Sequence, residues 1–345
     1  MNDMKRLYLN IFLATVAAIA VNSCSKNSIV EPAYTKYINI AAKDAATTKA
    51  LLNQTTFQTS GNRIQIIDIV DGTEYINDLI GPDVTETPAG ATAAGIWPFE
   101  QGPYYWTQHT HKFFGWLAQD GNFAPQMSAN SFFNTTLQLT ADHKLEIPTA
   151  TTGISTTMFD FLYSDIIITE PLEEPVPLEF NHLFSAFYIA ASNSGTSSVT
   201  VKKVTINGLN NTKSATIDFS GTTPSVIYIS NSAEGSFIFN NINETLNATE
   251  KNITDTYLIW PQNKEDFSNV TLTIEYTADG KEFEPHEISL ANIEPADENS
   301  QMVWESGKIN VLNIMFNIDQ DLKQITFTIE TLEDWGATKD IPVYM

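Results

Sequence analysis

The sequence predicts an all-β protein built as two β-sandwiches in tandem. Short runs rich in β-branched and aromatic residues recur along nearly the whole chain, each bounded by Gly, Pro, Asn or Asp. No amphipathic helix of useful length stands out; over residues 181–191, where helix and strand patterns compete, aromatic and β-branched content favours a strand. A break rich in Pro and Glu, residues 170–177 (EPLEEPVP), divides these runs into two groups of comparable size.

The first 24 residues read as an export signal. Lys5 and Arg6 precede an uncharged, mostly apolar run over residues 7–21, which is too short and too poorly flanked to span a membrane. Asn22 and Ser23 then lead to Cys24, the chain's single cysteine. A small residue before a lone Cys at the end of such a run is a loose lipobox. Cys24 is therefore expected to carry lipid after removal of residues 1–23; the alternative is an ordinary export signal with an incidental cysteine.

Residues 24–49 form a polar tether and pro-segment. Within it residues 37–41 alternate as a short strand, Ile38 and Ile40 on one face, Tyr37 and Asn39 on the other. Residues 42–50 lack a bulky apolar face and read as an exposed link open to proteases, with Lys43 and Lys49 as cleavage positions. The link contains no arginine; the chain has only Arg6 and Arg63.

The N-terminal sandwich is expected over residues 50–175 and the C-terminal one over 176–345. In the first, residues 63–70 (RIQIIDIV) read as a core strand, followed by candidates at 104–106, 112–117, 136–139 and 161–168. In the second the candidates are 178–180, 184–191, 199–207, 214–219, 226–229, 236–240, 256–260, 270–276, 281–290, 309–318 and 324–332. Asn207-Gly208 and Asp279-Gly280 signal tight hairpin turns.

A formal charge of −23 excludes a nucleic-acid partner, which would need a basic face. With one cysteine no internal disulfide is possible, so stability must come from apolar cores, for which 42% hydrophobic and 11% aromatic residues suffice. Chemistry is scarce. His109 and His111 would share a strand face, but no third ligand has metal-site spacing, so ordinary strand histidines are the better reading. Six tryptophans, Trp97, Trp106, Trp116, Trp260, Trp304 and Trp335, would stack on sugars if exposed, although their places in or beside β-runs favour core packing. No nucleophile elbow, phosphate loop or metalloprotease motif occurs, and no cofactor or metal is implied.

The order of motifs carries one resemblance. A lipobox is followed by a short strand, a link ending TTKA, and Phe57 and Gly61 before the first core strand. Then come WTQHTHKFFGWL (106–117), FLYSDIII (161–168) and PLEFNHLFSAFY (177–188), the last with Leu178, Phe180, His182 and Leu183 in an L-x-F-x-H-x-(L/F) pattern. TYLIWP (256–261), WESGKINVLN (304–313) and Asp334-Trp335 close the series. Together they resemble the fimbrillin family of Bacteroidales. The resemblance implies two transthyretin-like (Greek-key) β-sandwich domains and no catalysis. It also implies a lipid-anchored subunit of a surface fimbria that associates with other subunits at the cell outer membrane and supports adhesion. Its stalk subunits are trimmed by an arginine-specific or trypsin-like protease and polymerise by strand exchange. The tail suits a donor strand, because Ile341, Val343 and Met345 share one face, and residues 324–332 offer a longer one. The readings from other classes are a surface glycan-binding lipoprotein or a hydrolase, and, within the family, an unprocessed tip or anchor subunit.

Overall fold

The computed structural model describes residues 36–44, 61–81, 96–120, 127–152, 159–230, 235–293, 303–319 and 323–332. It is nearly all β, as the run pattern predicts. The strands up to the middle of the chain are β1 (Ile40–Asp44), β2 (Arg63–Val70), β3 (Thr73–Ile80), β4 (Ile96–Trp97), β5 (His111–Asp120), β6 (Met127–Ser128), β7 (Lys144–Thr151), β8 (Leu162–Ile168) and β9 (Val176–His182). They are followed by β10 (Ser185–Asn193), β11 (Val199–Leu209), β12 (Thr212–Asp218), β13 (Ser225–Ser230), β14 (Gly235–Phe239), β15 (Glu244–Thr245) and β16 (Lys251–Asn252). The last are β17 (Tyr257–Ile259), β18 (Thr271–Ala278), β19 (Lys281–Glu282), β20 (His286–Ser289), β21 (Ile309–Ile318) and β22 (Lys323–Leu332).

Among the described residues four sheets enclose two hydrophobic cores. The first core is flanked by an eight-stranded sheet, β3-β2-β5-β8-β9-β1-β4 with β6 on β5, and by a three-stranded sheet, β13-β12-β7. The second lies between β16-β10-β21-β22, with β17 on β10, and β14-β11-β18-β19, with β15 on β11 and β20 on β18. Most pairings are antiparallel; β1 with β9 and β10 with β21 run parallel.

Strand β10 serves both cores, as β17 and β21 also do. Ala186, Tyr188 and Ala190 of β10 face the first core, while Phe187, Ile189 and Ala191 face the second. The period-2 alternation of a strand sends opposite faces to opposite sides, so β10 is buried on both and loses any polar stripe. That double burial is why residues 181–191 read ambiguously, and the strand reading is the one realised.

The boundary expected at residues 170–177 falls elsewhere. β8 and β9 pair across this segment, Leu162 opposite His182 and Tyr163 opposite Asn181, so one sheet runs through it. The prolines do not prevent this, because the pairing lies beyond them; Pro177 sits opposite Ala41 of β1 instead. Val176, Leu178 and Phe180, expected in the C-terminal sandwich, complete the first core. The hairpin β12–β13, expected there too, pairs through β12 with β7 and buries Ala215 and Ile217 in the first core.

Local signals explain the other differences. Asn207-Gly208 is a bulge inside β11, not a hairpin turn. Gly208 has φ +85°, and a Cβ there would lie 2.7 Å from the Asn269 carbonyl oxygen, so the position needs glycine. Residues 104–106 and 136–139 form single bridges, Tyr37 with Tyr105 and Leu139 with Leu145, rather than strands. β7 escaped notice because Pro148 demotes a strand reading; a register shift between Lys213 and Ala215 of β12 accommodates it.

Asp279-Gly280 does form the expected β18–β19 turn, with φ +50° and +75°. The Asp279 carboxylate also accepts from the Ser198 N–H (2.9 Å), tying the turn to the start of β11. This hydrogen bond holds the Asp279 carboxyl below its ordinary value of 3.8. A lowered folded-state pKa stabilises the fold above the unfolded value and loses that contribution as pH falls through the folded one. Wild type should therefore exceed Asp279→Asn by a constant margin above about pH 5 that shrinks as pH falls through the ordinary value of 3.8 and below. Urea titrations at stepped pH values check this; a margin that persists at acid pH would contradict it.

A candidate strand-exchange groove beneath the first strand

The N-terminal strand is seated in the first core rather than laid upon it. Ile38, Ile40 and Ala42 are 2%, 0% and 0% exposed, while Tyr37 and Asn39 face outward. The expected alternation is realised and runs further: the strand extends through Asp44. The link expected at residue 42 therefore begins later, because Ala42 fills a buried position and Lys43 lies in the ladder opposite Glu179. Cutting at Lys43 requires the strand to leave the sheet first.

β1 sits between β9 and β4. It runs parallel to β9 over five residue pairs, from Ile40–Val176 to Asp44–Phe180, and antiparallel to β4 at Ile40–Trp97 and Ala41–Ile96. Ahead of it the Ile38 N–H donates to the Tyr104 carbonyl (2.9 Å) and the Trp106 N–H to the Lys36 carbonyl (3.2 Å). The Val176 N–H donates to the Asn39 carbonyl (2.8 Å). Tyr37 and Tyr105 rings meet outside at 4.9 Å, and their side-chain hydrogen bond raises the Tyr105 phenol. Withdrawal of this segment would leave β4 without its ladder partner, free the β9 edge that faces away from β8, and uncover core side chains, all unfavourable.

Cys24, Lys49, Ile341, Val343 and Met345 lie outside the described residues. The longer donor candidate is β22, paired with β21 from Ile309–Leu332 to Ile318–Lys323 at the end of its sheet. Between Gln324 and Thr328, Phe327 is buried in the second core and Ile325 packs against it half-buried.

The histidines separate. His109 is exposed and pairs with Asp71 (2.7 Å), whereas His111 opens β5 at 1% exposure. Their expected common face does not exist, since β5 begins only at His111. His111 Nε2 accepts from the Thr107 N–H (3.1 Å), so Nδ1 carries the proton and donates to Asp68 Oδ2 (2.6 Å). Thr107 Oγ1 lies 3.0 Å from Nε2, completing the order of a hydrolytic triad. Thr107, His111 and Asp68 are all within 1% of full burial, so no substrate reaches them. Burial pushes the Asp68 carboxyl up, against the hydrogen bond from His111. A second pair, His182 Nδ1 with Asp160 Oδ2 (2.9 Å), joins β9 to the segment before β8. Sequence reasoning missed both pairs, because the partners are distant in the chain. Among the described residues no three His, Cys, Asp or Glu side chains are placed to hold a metal.

Trp97, Trp106, Trp116, Trp260 and Trp304 are all buried, none more than 3% exposed. None of these five offers a face to a sugar, and Trp335 lies outside the described residues.

The model of one family, fimbrillin-like, matches residues 46–335. The chain belongs to the fimbrillin-like family. Family membership supports a structural, non-enzymatic role as a fimbrial subunit at the cell surface, in association with other fimbrial subunits. A fimbrial protein from Bacteroides vulgatus is similar, with a TM-score of 0.53 at 13% identity over 87% of this chain and 100% of that one. A candidate cell adhesion protein from Bacteroides ovatus gives 0.51 at 16% identity over 88% and 99%. One from Bacteroides uniformis gives 0.51 at 12% over 87% and 98%. At such identities the likeness establishes the shared fold. No curated protein sequence matches the chain.

Proposed function

We propose that this fimbrillin-like protein is a fimbrial building block, exported as a lipoprotein on Cys24, trimmed after Lys49 and polymerised by strand exchange. A neighbour's C-terminal strand then occupies the place of β1 and links subunits into an adhesive fimbria on the outer membrane. The observation that carries this reading is the burial of Ile38, Ile40 and Ala42 in a strand ending just before the link. Losing it exposes two isoleucines, each about 1.5–3 kcal/mol of burial, and frees two strand edges for β-augmentation. Ile341, Val343 and Met345, alone or with β22, supply a complementary apolar face. A tip or anchor subunit that is never trimmed is the second reading. It is favoured by the position of Lys43 within β1 and by an arginine-free link, which an arginine-specific protease leaves whole.

The test is cleavage of the folded chain by a lysine-cutting protease, compared with a Lys43→Gln/Lys49→Gln variant. The trimmed chain should begin at Ala50 and form a high-mass ladder on unheated gels, which the variant should not. Deleting residues 340–345 should abolish the ladder while the monomer stays folded. A trimmed chain that remains monomeric would overturn strand exchange. An N-terminus still blocked at Cys24 on the cell surface would favour the untrimmed subunit.

A further inference from the structure

We infer that the outer edge of β13 is a contact surface for a second copy of this chain, paired antiparallel about a twofold axis through Tyr228. Among the described residues β13 pairs with β12 alone and so ends its sheet. Its residues alternate cleanly. Tyr228 turns inward, its hydroxyl donating to the Leu183 carbonyl (3.1 Å) and its ring 6.2 Å from that of Trp260. That orientation sends Ile227 and Ile229 outward, 59% and 52% exposed.

Unguarded edges of this kind are rare, because sheet ends are normally protected by charge, proline, bulges or brevity. Several other edges among the described residues follow that rule. Glu74 stands on β3, Lys144, Glu146 and Pro148 on β7, Lys251 on β16, and Lys281 and Glu282 on β19. β4 is two residues long, and β14, five residues without a charge, turns one isoleucine outward, Ile238, where β13 turns two. β13 has no such protection: residues 219–233 carry no charged side chain at all.

Two features make a second copy the partner that fits. The strand is symmetric about Tyr228 in its outward residues, Ile227-Tyr228-Ile229. With two copies antiparallel about that residue, Ile227 of each stands opposite Ile229 of the other, and four isoleucines form one apolar patch on the outer face. Charge supplies the second. Copies bearing −23 repel over most of their surface, so close approach requires a face without charge. On the outer face of this sheet the charges are partnered: Asp218, opposite Ser225 at the start of β13, pairs with Lys144 (3.6 Å), and Glu146 accepts from the Thr216 hydroxyl (2.8 Å). Ser214 and Thr216 of β12 separate β7 from the isoleucines. The contact does not depend on trimming or on strand exchange at β1, and in a fimbria it would join subunits side to side.

Sedimentation velocity on the untrimmed chain without its export signal, Cys24→Ser, tests this. A concentration-dependent dimer is expected. Ile227→Lys/Ile229→Lys should weaken it by about tenfold or more, since like charges then meet across the junction, with thermal unfolding unchanged because both positions are exposed. Register is read separately. On oxidation, an equal mixture of Ile227→Cys and Ile229→Cys chains should cross-link more than either alone. A chain monomeric at all concentrations, or a double-lysine variant that dimerises equally well, would overturn the proposal. Cross-linking as strong in a single variant as in the mixture would overturn the Tyr228 axis.

Discussion

Asp266→Ala is expected to destabilise the protein by about 3–5 kcal/mol, the cost of leaving a buried charge unpaired. Lys213 of β12 is 1% exposed. Its ammonium donates to Asp266 Oδ2 (2.8 Å) and to the Pro261 carbonyl (2.6 Å). Asp266 lies in the 3-10 turn Lys264–Phe267, whose Phe267 belongs to the second core, while β12 belongs to the first. The pair thus pins the two halves together. Removing the carboxylate strands an ammonium with one carbonyl for company. Removing the cation is milder: Lys213→Met keeps the apolar stem, and Asp266 retains the Asn263 N–H (2.8 Å) and some solvent. Its cost should be smaller by about 2 kcal/mol or more. Urea midpoints at a shared m-value measure both. Equal losses from the two substitutions would show that Lys213 is not held as a buried cation.

Trp260→Ala should cost about 3–5 kcal/mol and weaken both cores in one transition. Trp260 is fully buried, its ring 4.8 Å from that of Phe184, and its indole N–H donates to the Ala150 carbonyl (2.7 Å). It packs in the first core, while Ile259, one residue earlier, packs in the second. With β10 buried on both faces, a cavity on one side loosens a strand on which the other side depends. Trp260→Phe keeps most of the packing but leaves the Ala150 carbonyl without its donor, an expected loss of about 1–3 kcal/mol. Differential scanning calorimetry tests the coupling. Two resolved transitions, with only one displaced by Trp260→Ala, would show that the cores unfold independently.

The expected pairing of helix-poor composition with an all-β fold held because strand formation here is a local matter. The run 63–70 is β2 to the residue, and the alternation of Ile38 and Ile40 marks the buried face of the N-terminal strand. The Asp279-Gly280 turn was legible for the same reason, since two positive φ angles favour those residue types. The export signal, Cys24 and the processing link are sequence readings throughout. Partnership was not legible. Nothing local in residues 170–177 says that β9 returns to pair with β8, or that β12–β13 crosses back to cover β7.

The sequence by itself determined the all-β class and the place of long runs such as β2 and β21, because backbone propensity and side-chain alternation act between near neighbours. Only the tertiary structure decided which strands pair, that His111 meets Asp68 and His182 meets Asp160, and that β10 divides its two faces between two cores. Those outcomes depend on contacts between residues far apart in the chain. An apolar face specifies that it must be covered, and the global packing selects what covers it.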